Sequence, residues 1–270
     1  MGNSQLRKFR NTPARRPTLN ESVVTVQETS VHPADAQIVG FDRPMAIVGG
    51  GTVDLVLLRE LAGRNVALVG ADGGGDAIDA AGLVPELIVG DLDSLRDRAG
   101  WERRTQVIHI PEQITTDFQK ALYSTQAPVT LALGMTGKRL DHTLAALSAV
   151  LKYARARKIV VVDEVDVALA VVGPVAFEAG AKERVSIHPL VPVSFTRSTG
   201  LLYPLDGLRL EPGGLGGTSN EGLGGRVGIV PADDTPWLLI LGKERLWDLI
   251  SGLLAHEAPG IEKAREMRAF

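Results

Sequence analysis

The chain has 270 residues, of which 44% are hydrophobic and 23% are charged, and these proportions predict a soluble globular protein with one large or two ordinary domains. A formal net charge of only −3 does not favour binding to nucleic acid or to an anionic membrane. The absence of cysteine excludes disulfides, thiolate metal sites and cysteine nucleophiles.

The first 43 residues differ in character from the rest of the chain. They are polar, and basic side chains precede their first acid, Glu21, so we predict a polar N-terminal tail rather than a binding arm. Within this tail, residues 22–26 can add an edge strand. No signal-peptide core is apparent near the start, so we expect a cytoplasmic location.

From Met45 onward, short apolar runs alternate with stretches long enough for helices. Runs without polar alternation indicate strands buried on both faces, and their alternation with helices indicates an open parallel sheet. We predict strands at 45–48, 66–69, 87–89, 107–110, 129–133 and 159–162, and helices at 53–62, 74–81, 116–124 and 141–156. Residues 44–163 therefore form a predicted α/β domain.

After Asp163 the helical signals stop, and short β-rich pieces separated by Pro and Gly take their place. We predict strands at 167–172, 184–188, 193–197, 208–210, 226–230 and 238–241, and hence an antiparallel β-sandwich domain over residues 164–242. Residues 243–270 have helical spacing and form a predicted C-terminal extension that packs on the body or on a second copy. The longest apolar stretch, residues 159–177, contains acids, so we expect no membrane span.

The most informative motif is Gly90-Asp91-Leu92-Asp93-Ser94, which directly follows a predicted strand. If the extended chain continues past Gly90, Asp91 and Asp93 lie on one face. Two carboxylates this close are tolerated best with a cation between them, and Mg²⁺, which is commonly shared with phosphates, suits that role. An isolated Asp-x-Asp is more often a solvated loop.

Four further polar clusters support phosphate chemistry. Three follow parallel strands, where an open α/β sheet binds its ligands: a glycine turn with Asp72, a helix start with Asp117 and Lys120, and a second helix start with Arg139. The fourth lies in the β half, where an exposed Tyr203 can stack on a flat ring. Each has an ordinary alternative, such as a flexible turn, a surface ion pair or a helix cap, but their joint occurrence favours a site. The chain has no P-loop, no full dinucleotide fingerprint and no Gly-x-Ser-x-Gly elbow.

In the order of these motifs the chain resembles the thiamine pyrophosphokinase family. The resemblance runs from about Ala46 to Leu241 and is carried by Ala71-Asp72-Gly73-Gly74, Pro85, Gly90-Asp91-Leu92-Asp93-Ser94, Thr116-Asp117, Lys120-Ala121-Leu122, Gly137-Lys138-Arg139-Leu140-Asp141-His142, Thr199-Gly200-Leu201-Leu202-Tyr203-Pro204-Leu205 and Ser219-Asn220-Glu221. It implies an α/β domain followed by a β-sandwich, and a homodimer with active sites at its interface. It also implies an ATP-dependent kinase that transfers pyrophosphate to thiamine, giving thiamine diphosphate and AMP.

The resemblance assigns roles residue by residue. The catalytic acids, which would also bind Mg²⁺, are Asp72, Asp91, Asp93 and Asp117. The residues implied for ATP and its phosphates are Gly73, Gly74, Ser94, Thr116, Lys120, Arg139, Asp141 and His142, and those implied for thiamine are Tyr203, Ser219 and Asn220. Asp93 or Asp117 is the expected proton acceptor. Many relatives carry an acid where this chain has Ile114. We therefore expect this chain to coordinate the metal differently from those relatives.

Three other functions stay open from the sequence. The same carboxylates suit a Mg²⁺-dependent phosphotransferase or phosphohydrolase that acts on another metabolite. A non-catalytic thiamine or nucleotide sensor is a second alternative, although binding a cationic vitamin hardly needs four acids. Nucleic-acid binding through the basic tail is the third, and it rests on a few charges alone.

Overall fold

A computed structural model describes residues 38–255 of the chain. The first half alternates strands and helices: β1 Val39–Gly40, β2 Met45–Val48, α1 Leu55–Gly63, β3 Ala67–Ala71, α2 Gly74–Ala80, β4 Leu87–Gly90, α3 Arg98–Glu102, β5 Gln106–His109, α4 Asp117–Ser124, β6 Thr125–Gln126, β7 Thr130–Leu133, α5 Leu140–Tyr153 and β8 Ile159–Val162. The second half is mostly strand: β9 Asp166–Val171, β10 Val175–His188, β11 Val193–Thr199, β12 Arg209–Leu210, β13 Gly217–Pro231, β14 Trp237–Gly242, a 3-10 turn Lys243–Arg245 and α6 Leu246–Ala255.

Twelve of these strands form one mixed sheet in the order β12-β11-β13-β10-β14-β9-β8-β7-β2-β3-β4-β5. The strands from β8 to β5 pair in parallel, and those from β12 to β9 pair antiparallel. The antiparallel pair β8–β9 joins the two halves, with Val161 opposite Ala168. A mixed α/β architecture is thus confirmed, and the two halves share a sheet, which the sequence pattern did not predict. The predicted domain boundaries and the closure into a sandwich stay predictions.

Both faces of the parallel half are covered by helices. Along β2, Ala46 and Val48 belong to a hydrophobic cluster with α1, whereas Met45 and Ile47 belong to a second cluster with α4 and α5. This alternation follows from the two-residue period of a strand, and it explains why the parallel strands read as continuous apolar runs. In the antiparallel half, Phe195 and Trp237 pack edge to face with ring centroids 5.4 Å apart.

The chain order in the sheet reverses at β2, which lies between β7 and β3. In an open α/β sheet, ligands bind beyond the carboxyl ends of the parallel strands near such a reversal. The loops after β2, β3, β4 and β7 therefore form the edge where a site is expected.

The structure corrects several predicted elements. Helix α3 was not predicted, because its five residues are too short for helical periodicity. Strands β10 and β13 have 14 and 15 residues, roughly three times the predicted lengths, because glycines and polar residues within them had been interpreted as turns. Ser219 and Asn220, which a turn-forming sequence pattern could place in a hairpin loop, both lie within β13.

The ends of the chain are only partly described. The predicted strand at 22–26 and most of the predicted tail lie outside the described residues, as does the C-terminal extension beyond residue 255. The last residues of the predicted tail contain β1, which pairs in parallel with β6. Between residues 38 and 255, the helices are too short or too polar for any to span a bilayer.

Candidate active site

Three aspartates meet at the carboxyl edge of the parallel strands. Asp72 follows β3, Asp91 follows β4, and Asp117 begins α4, which comes after β5. Each offers a carboxylate oxygen that lies within 4.8 Å of the other two. We call these residues the acidic triad. Carboxylate oxygens at this separation are ligands for a hard divalent cation.

The backbone allows the triad to form. Asp72 adopts a left-handed conformation with φ 48°, and its amide donates to the Val89 carbonyl oxygen at 2.8 Å. Gly90 lies beneath the triad. A Cβ atom added there would lie 2.9 Å from Asp72 Cβ and 3.1 Å from Asp117 Oδ1, so no larger residue fits without displacing both acids.

Asp72 is the most buried acid of the triad, with 5% of its surface exposed. Its Oδ2 accepts a hydrogen bond from the Ser94 amide at 3.2 Å, whereas the buried Oδ1 has no partner among the described residues. Burial is the largest effect that raises the pKa of this carboxyl, and the charge of Asp117 adds to it. A buried carboxylate oxygen without a partner costs free energy unless a cation or donor reaches it.

Lys120 is the cation of the triad. Its side chain is 1% exposed, and its Nζ donates to Asp91 Oδ2 at 3.1 Å and to Asp117 Oδ1 at 3.0 Å. Burial opposes the charged form, but Asp117 and Asp91 outweigh it and raise the pKa of Lys120 above its ordinary value. The alternative of a surface ion pair is therefore wrong, since the pair is buried within the site.

The Asp93 carboxylate is not part of the triad, although the Asp93 amide donates to Asp91 Oδ1 at 3.4 Å. Strand β4 ends at Gly90, and Leu92 adopts a left-handed φ of 65°, so the alternation that would place Asp91 and Asp93 on one face is broken. The Asp93 side chain is exposed, and its Oδ1 accepts a hydrogen bond from the Ser94 hydroxyl at 2.9 Å. A metal-binding role for Asp93 stays a prediction.

Two contributors were missed by the sequence analysis. Gln113 Nε2 donates to Asp91 Oδ2 at 2.8 Å, and although burial opposes ionisation, this bond and that from Lys120 lower the pKa of Asp91. Glu112 stabilises the turn that carries Gln113, because its carboxylate accepts the amides of Ile114 and Thr115 at 2.6 and 2.9 Å. Ile114, at the position of the common acid, is 73% exposed. Glu112, an acid two residues before Ile114, was the sequence feature that could have indicated this turn.

The start of α2 brings backbone close to the triad. A Cβ at Gly74 would lie 1.7 Å from the Val48 carbonyl oxygen, so only glycine allows this close approach of helix and strand. Gly73 is the N-cap of α2, and Thr116 is the N-cap of α4, where its hydroxyl accepts from the Gln119 amide at 3.4 Å. Both helix starts therefore direct amide groups toward the edge where the acids meet.

Arg139, Asp141 and His142 lie at the start of α5 and are exposed. Arg139 Nε donates to Asp141 Oδ1 at 3.1 Å, and its hydrogen bonds lower the pKa of Asp141 to about 2. The structure pairs these two residues with each other and not with the triad. Arg139 stays accessible to an anion from solution.

The predicted thiamine residues lie in the antiparallel half. Tyr203 is 63% exposed, whereas Asn220 is buried. The Tyr203 amide donates to Asn220 Oδ1 at 3.0 Å, and Asn220 Nδ2 donates to the Tyr203 carbonyl at 2.7 Å, so Asn220 holds the backbone that presents the ring. Ser219 has a left-handed φ of 59°, and its amide donates to the Ser186 hydroxyl at 3.0 Å.

Residues 58–162 match the family described as "Thiamin pyrophosphokinase, catalytic domain", and this segment contains the whole acidic triad and Lys120. This segment of the chain is therefore similar to the catalytic domain of thiamin pyrophosphokinases. A curated relative, thiamin pyrophosphokinase 1 of Caenorhabditis elegans, is 29% identical over 152 residues, which make up 51% of this chain and 62% of that protein. The match therefore spans less than two thirds of the relative's length.

Solved structures carry the same fold. A thiamin pyrophosphokinase from Geobacillus thermodenitrificans is 27% identical, covers 73% of this chain and 96% of its own, and has a TM-score of 0.62. A second, from Bacillus subtilis, has the same TM-score at 23% identity and covers 75% of this chain and 100% of its own. The fold likeness extends beyond residues 58–162, so it takes in part of the antiparallel half.

Proposed function

We propose that this protein transfers the pyrophosphoryl group of ATP to the hydroxyethyl oxygen of thiamine, giving thiamine diphosphate and AMP. The observation that carries the proposal is the acidic triad with its buried Lys120, inside the segment that matches the thiamin pyrophosphokinase catalytic domain. Transfer to an alcohol oxygen needs positioned phosphates and charge neutralisation rather than a covalent enzyme intermediate, and these side chains supply both.

We propose Mg²⁺ as the metal, held by Asp72, Asp91 and Asp117. The residues fit it, because the triad offers three oxygens within 4.8 Å of one another and Asp72 Oδ1 is buried without a partner among residues 38–255. When all three acids are ionised, they and Lys120 carry a net charge that a divalent ion neutralises. Bound Mg²⁺ would stabilise the charge that develops on the phosphate oxygens.

The chain's own residues then have distinct roles. Lys120 and Arg139 bind phosphate oxygens, and amides at the start of α2 approach them. The thiamine hydroxyl attacks the β-phosphorus of ATP in line. A new O–P bond forms, the bond between the β-phosphorus and the oxygen that bridges it to the α-phosphorus breaks, and AMP leaves with that oxygen. We favour Asp93 as the acceptor of the hydroxyl proton, because Asp117 Oδ1 already accepts from Lys120 and from the Asp91 amide.

We also propose that thiamine lies against Tyr203 in a homodimer. Tyr203 lies beside β13, which is separated from β3 and its Asp72 by seven strand spacings. At about 4.8 Å per spacing this corresponds to roughly 34 Å along the sheet. A second copy of the chain would bring a Tyr203 ring to the acidic triad, and the aromatic face would stack on the cationic heterocycle.

The proposal is tested by measuring thiamine-dependent AMP formation from ATP, with and without Mg²⁺. We expect AMP and thiamine diphosphate in equal amounts and only when Mg²⁺ is present. ADP or free phosphate as the sole nucleotide-derived product would refute pyrophosphoryl transfer. Sedimentation of the protein with and without both substrates tests the homodimer, and the cytoplasmic location stays a prediction.

A further inference from the structure

Lys120 is the internal counter-ion of the acidic triad. Its Nζ lies 3.1 Å from Asp91 and 3.0 Å from Asp117, so one ammonium contacts two of the three carboxylates and cancels one unit of their negative charge. The third acid, Asp72, accepts a hydrogen bond from the Ser94 amide and is not bound by Lys120 in the described contacts. A cation that enters the triad therefore meets a site whose negative charge is partly cancelled.

The Lys120 ammonium is buried between Asp91 and Asp117. The side chain is 1% exposed, and it lies one helical turn from Asp117 on α4, where residues three apart are neighbours. A buried ammonium needs acceptors, because leaving it unpaired is strongly unfavourable. If a metal takes the oxygens of Asp91 and Asp117, Lys120 must find a new acceptor within its reach.

We propose that Lys120 makes the metal site conditional on phosphate: free Mg²⁺ binds weakly because it competes with the ammonium, whereas Mg²⁺ that arrives with a diphosphate supplies the oxygen that Lys120 then binds. The inference rests on the proposed function, since it assumes that the triad holds the metal of a nucleotide substrate. It adds a selection step, in which the site discriminates the metal–phosphate complex from the free ion.

The test compares metal binding by the wild type and by Lys120→Met, a neutral variant of similar length. Isothermal titration calorimetry is run with Mg²⁺ alone and with magnesium pyrophosphate. We expect the variant to bind Mg²⁺ alone at least tenfold more tightly than the wild type, because the positive charge that contacts Asp91 and Asp117 is removed. We expect it to bind magnesium pyrophosphate more weakly, because the phosphate loses its buried cation.

Lys152→Met is the matched control. Lys152 is exposed on α5, and its Nζ lies over the Tyr153 ring at 5.4 Å rather than on a triad acid. This variant loses the same charge, and both affinities should stay within about twofold of the wild type, because exposed charges are strongly screened. Lys120→Gln, which keeps a hydrogen-bond donor between Asp91 and Asp117, is measured in parallel, in case the methionine variant does not fold.

The outcomes separate the inference from the proposed function. Unchanged or weaker binding of Mg²⁺ alone by the folded neutral variants would overturn the counter-ion role. A wild type that forms no AMP from ATP and thiamine would overturn the proposed function, whatever the titrations show. Tighter Mg²⁺ binding together with weaker magnesium pyrophosphate binding supports the inference.

Discussion

Replacing Gly90 by alanine would place a methyl group between two acids of the triad. The added Cβ would lie 2.9 Å from Asp72 Cβ and 3.1 Å from Asp117 Oδ1, whereas ordinary contacts begin at 3.4 Å. The φ of Gly90 is not in the left-handed region, so an alanine backbone is not strained there. The substitution therefore acts by crowding the two acids and not by straining the backbone.

The expected size of the effect follows from these distances. Asp72 must move by about 0.5 Å to restore ordinary contact with the methyl group. Metal–ligand distances tolerate only about 0.2 Å, so we expect weaker Mg²⁺ binding and a loss of at least about tenfold in kcat/KM for thiamine. Forcing a methyl group into a packed site should also lower the free energy of unfolding by about 1–3 kcal/mol.

Thiamine-dependent AMP formation is measured across a Mg²⁺ titration, with thermal unfolding in parallel. Gly63→Ala is the control, because Gly63 ends α1 and a Cβ there has no atom of the described residues within 4 Å. Its stability should lie within about 1 kcal/mol of the wild type, with unchanged activity. If Gly90→Ala kept the Mg²⁺ dependence and turnover of the Gly63→Ala protein, the argument that Gly90 sets the spacing of the acids would be wrong.

Three further substitutions test other contacts. Burial raises the pKa of Asp72 above 3.8, so folding takes up a proton between pH 3.8 and the raised pKa, and the metal-free protein loses stability as pH rises through that interval. Asp72→Asn should lack this loss in thermal unfolding, and an identical pH profile would contradict the assignment. Asn220→Ala removes two hydrogen bonds to the Tyr203 backbone and should raise the KM for thiamine more than that for ATP; equal changes would contradict the role of Tyr203. Asp76→Ala removes the acceptor of Trp101 Nε1 at 3.2 Å, and we expect altered tryptophan fluorescence and a loss of about 1–3 kcal/mol in unfolding free energy; unchanged fluorescence would refute the contact.

Much of the parallel half could be predicted from the sequence. The predicted strand at 45–48 and that at 159–162 coincide with β2 and β8, and the predicted helix at 74–81 differs from α2 by one residue. These predictions succeed because strands buried on both faces need apolar residues at every position. The long strands β10 and β13 could not be predicted, since their polar and glycine residues are paired across the sheet rather than placed in turns.

The candidate site was predicted as a set of residues, and its arrangement came from the fold. Asp72, Asp91 and Asp117 follow different strands, so only the parallel pairing of β3, β4 and β5 brings them together. The left-handed Leu92 separates Asp93 from them, and no spacing rule predicts that backbone conformation. Gln113 was missed for the same reason, because a side-chain hydrogen bond across 22 residues leaves no local pattern.

The sequence by itself determined the alternation of buried strands and helices, the presence of acids after successive strands, and the resemblance to a family, because these are properties of local order along the chain. The tertiary structure determined which charged side chains lie in contact. Lys120 and Asp117 share a helix face by spacing alone, but only the packing of α4 against the strand ends buries the ammonium between Asp117 and Asp91. Burial and long-range pairing depend on contacts between segments that are distant in the sequence. Because of those contacts, Lys120 is the buried counter-ion of the acidic triad instead of one half of an ordinary surface ion pair.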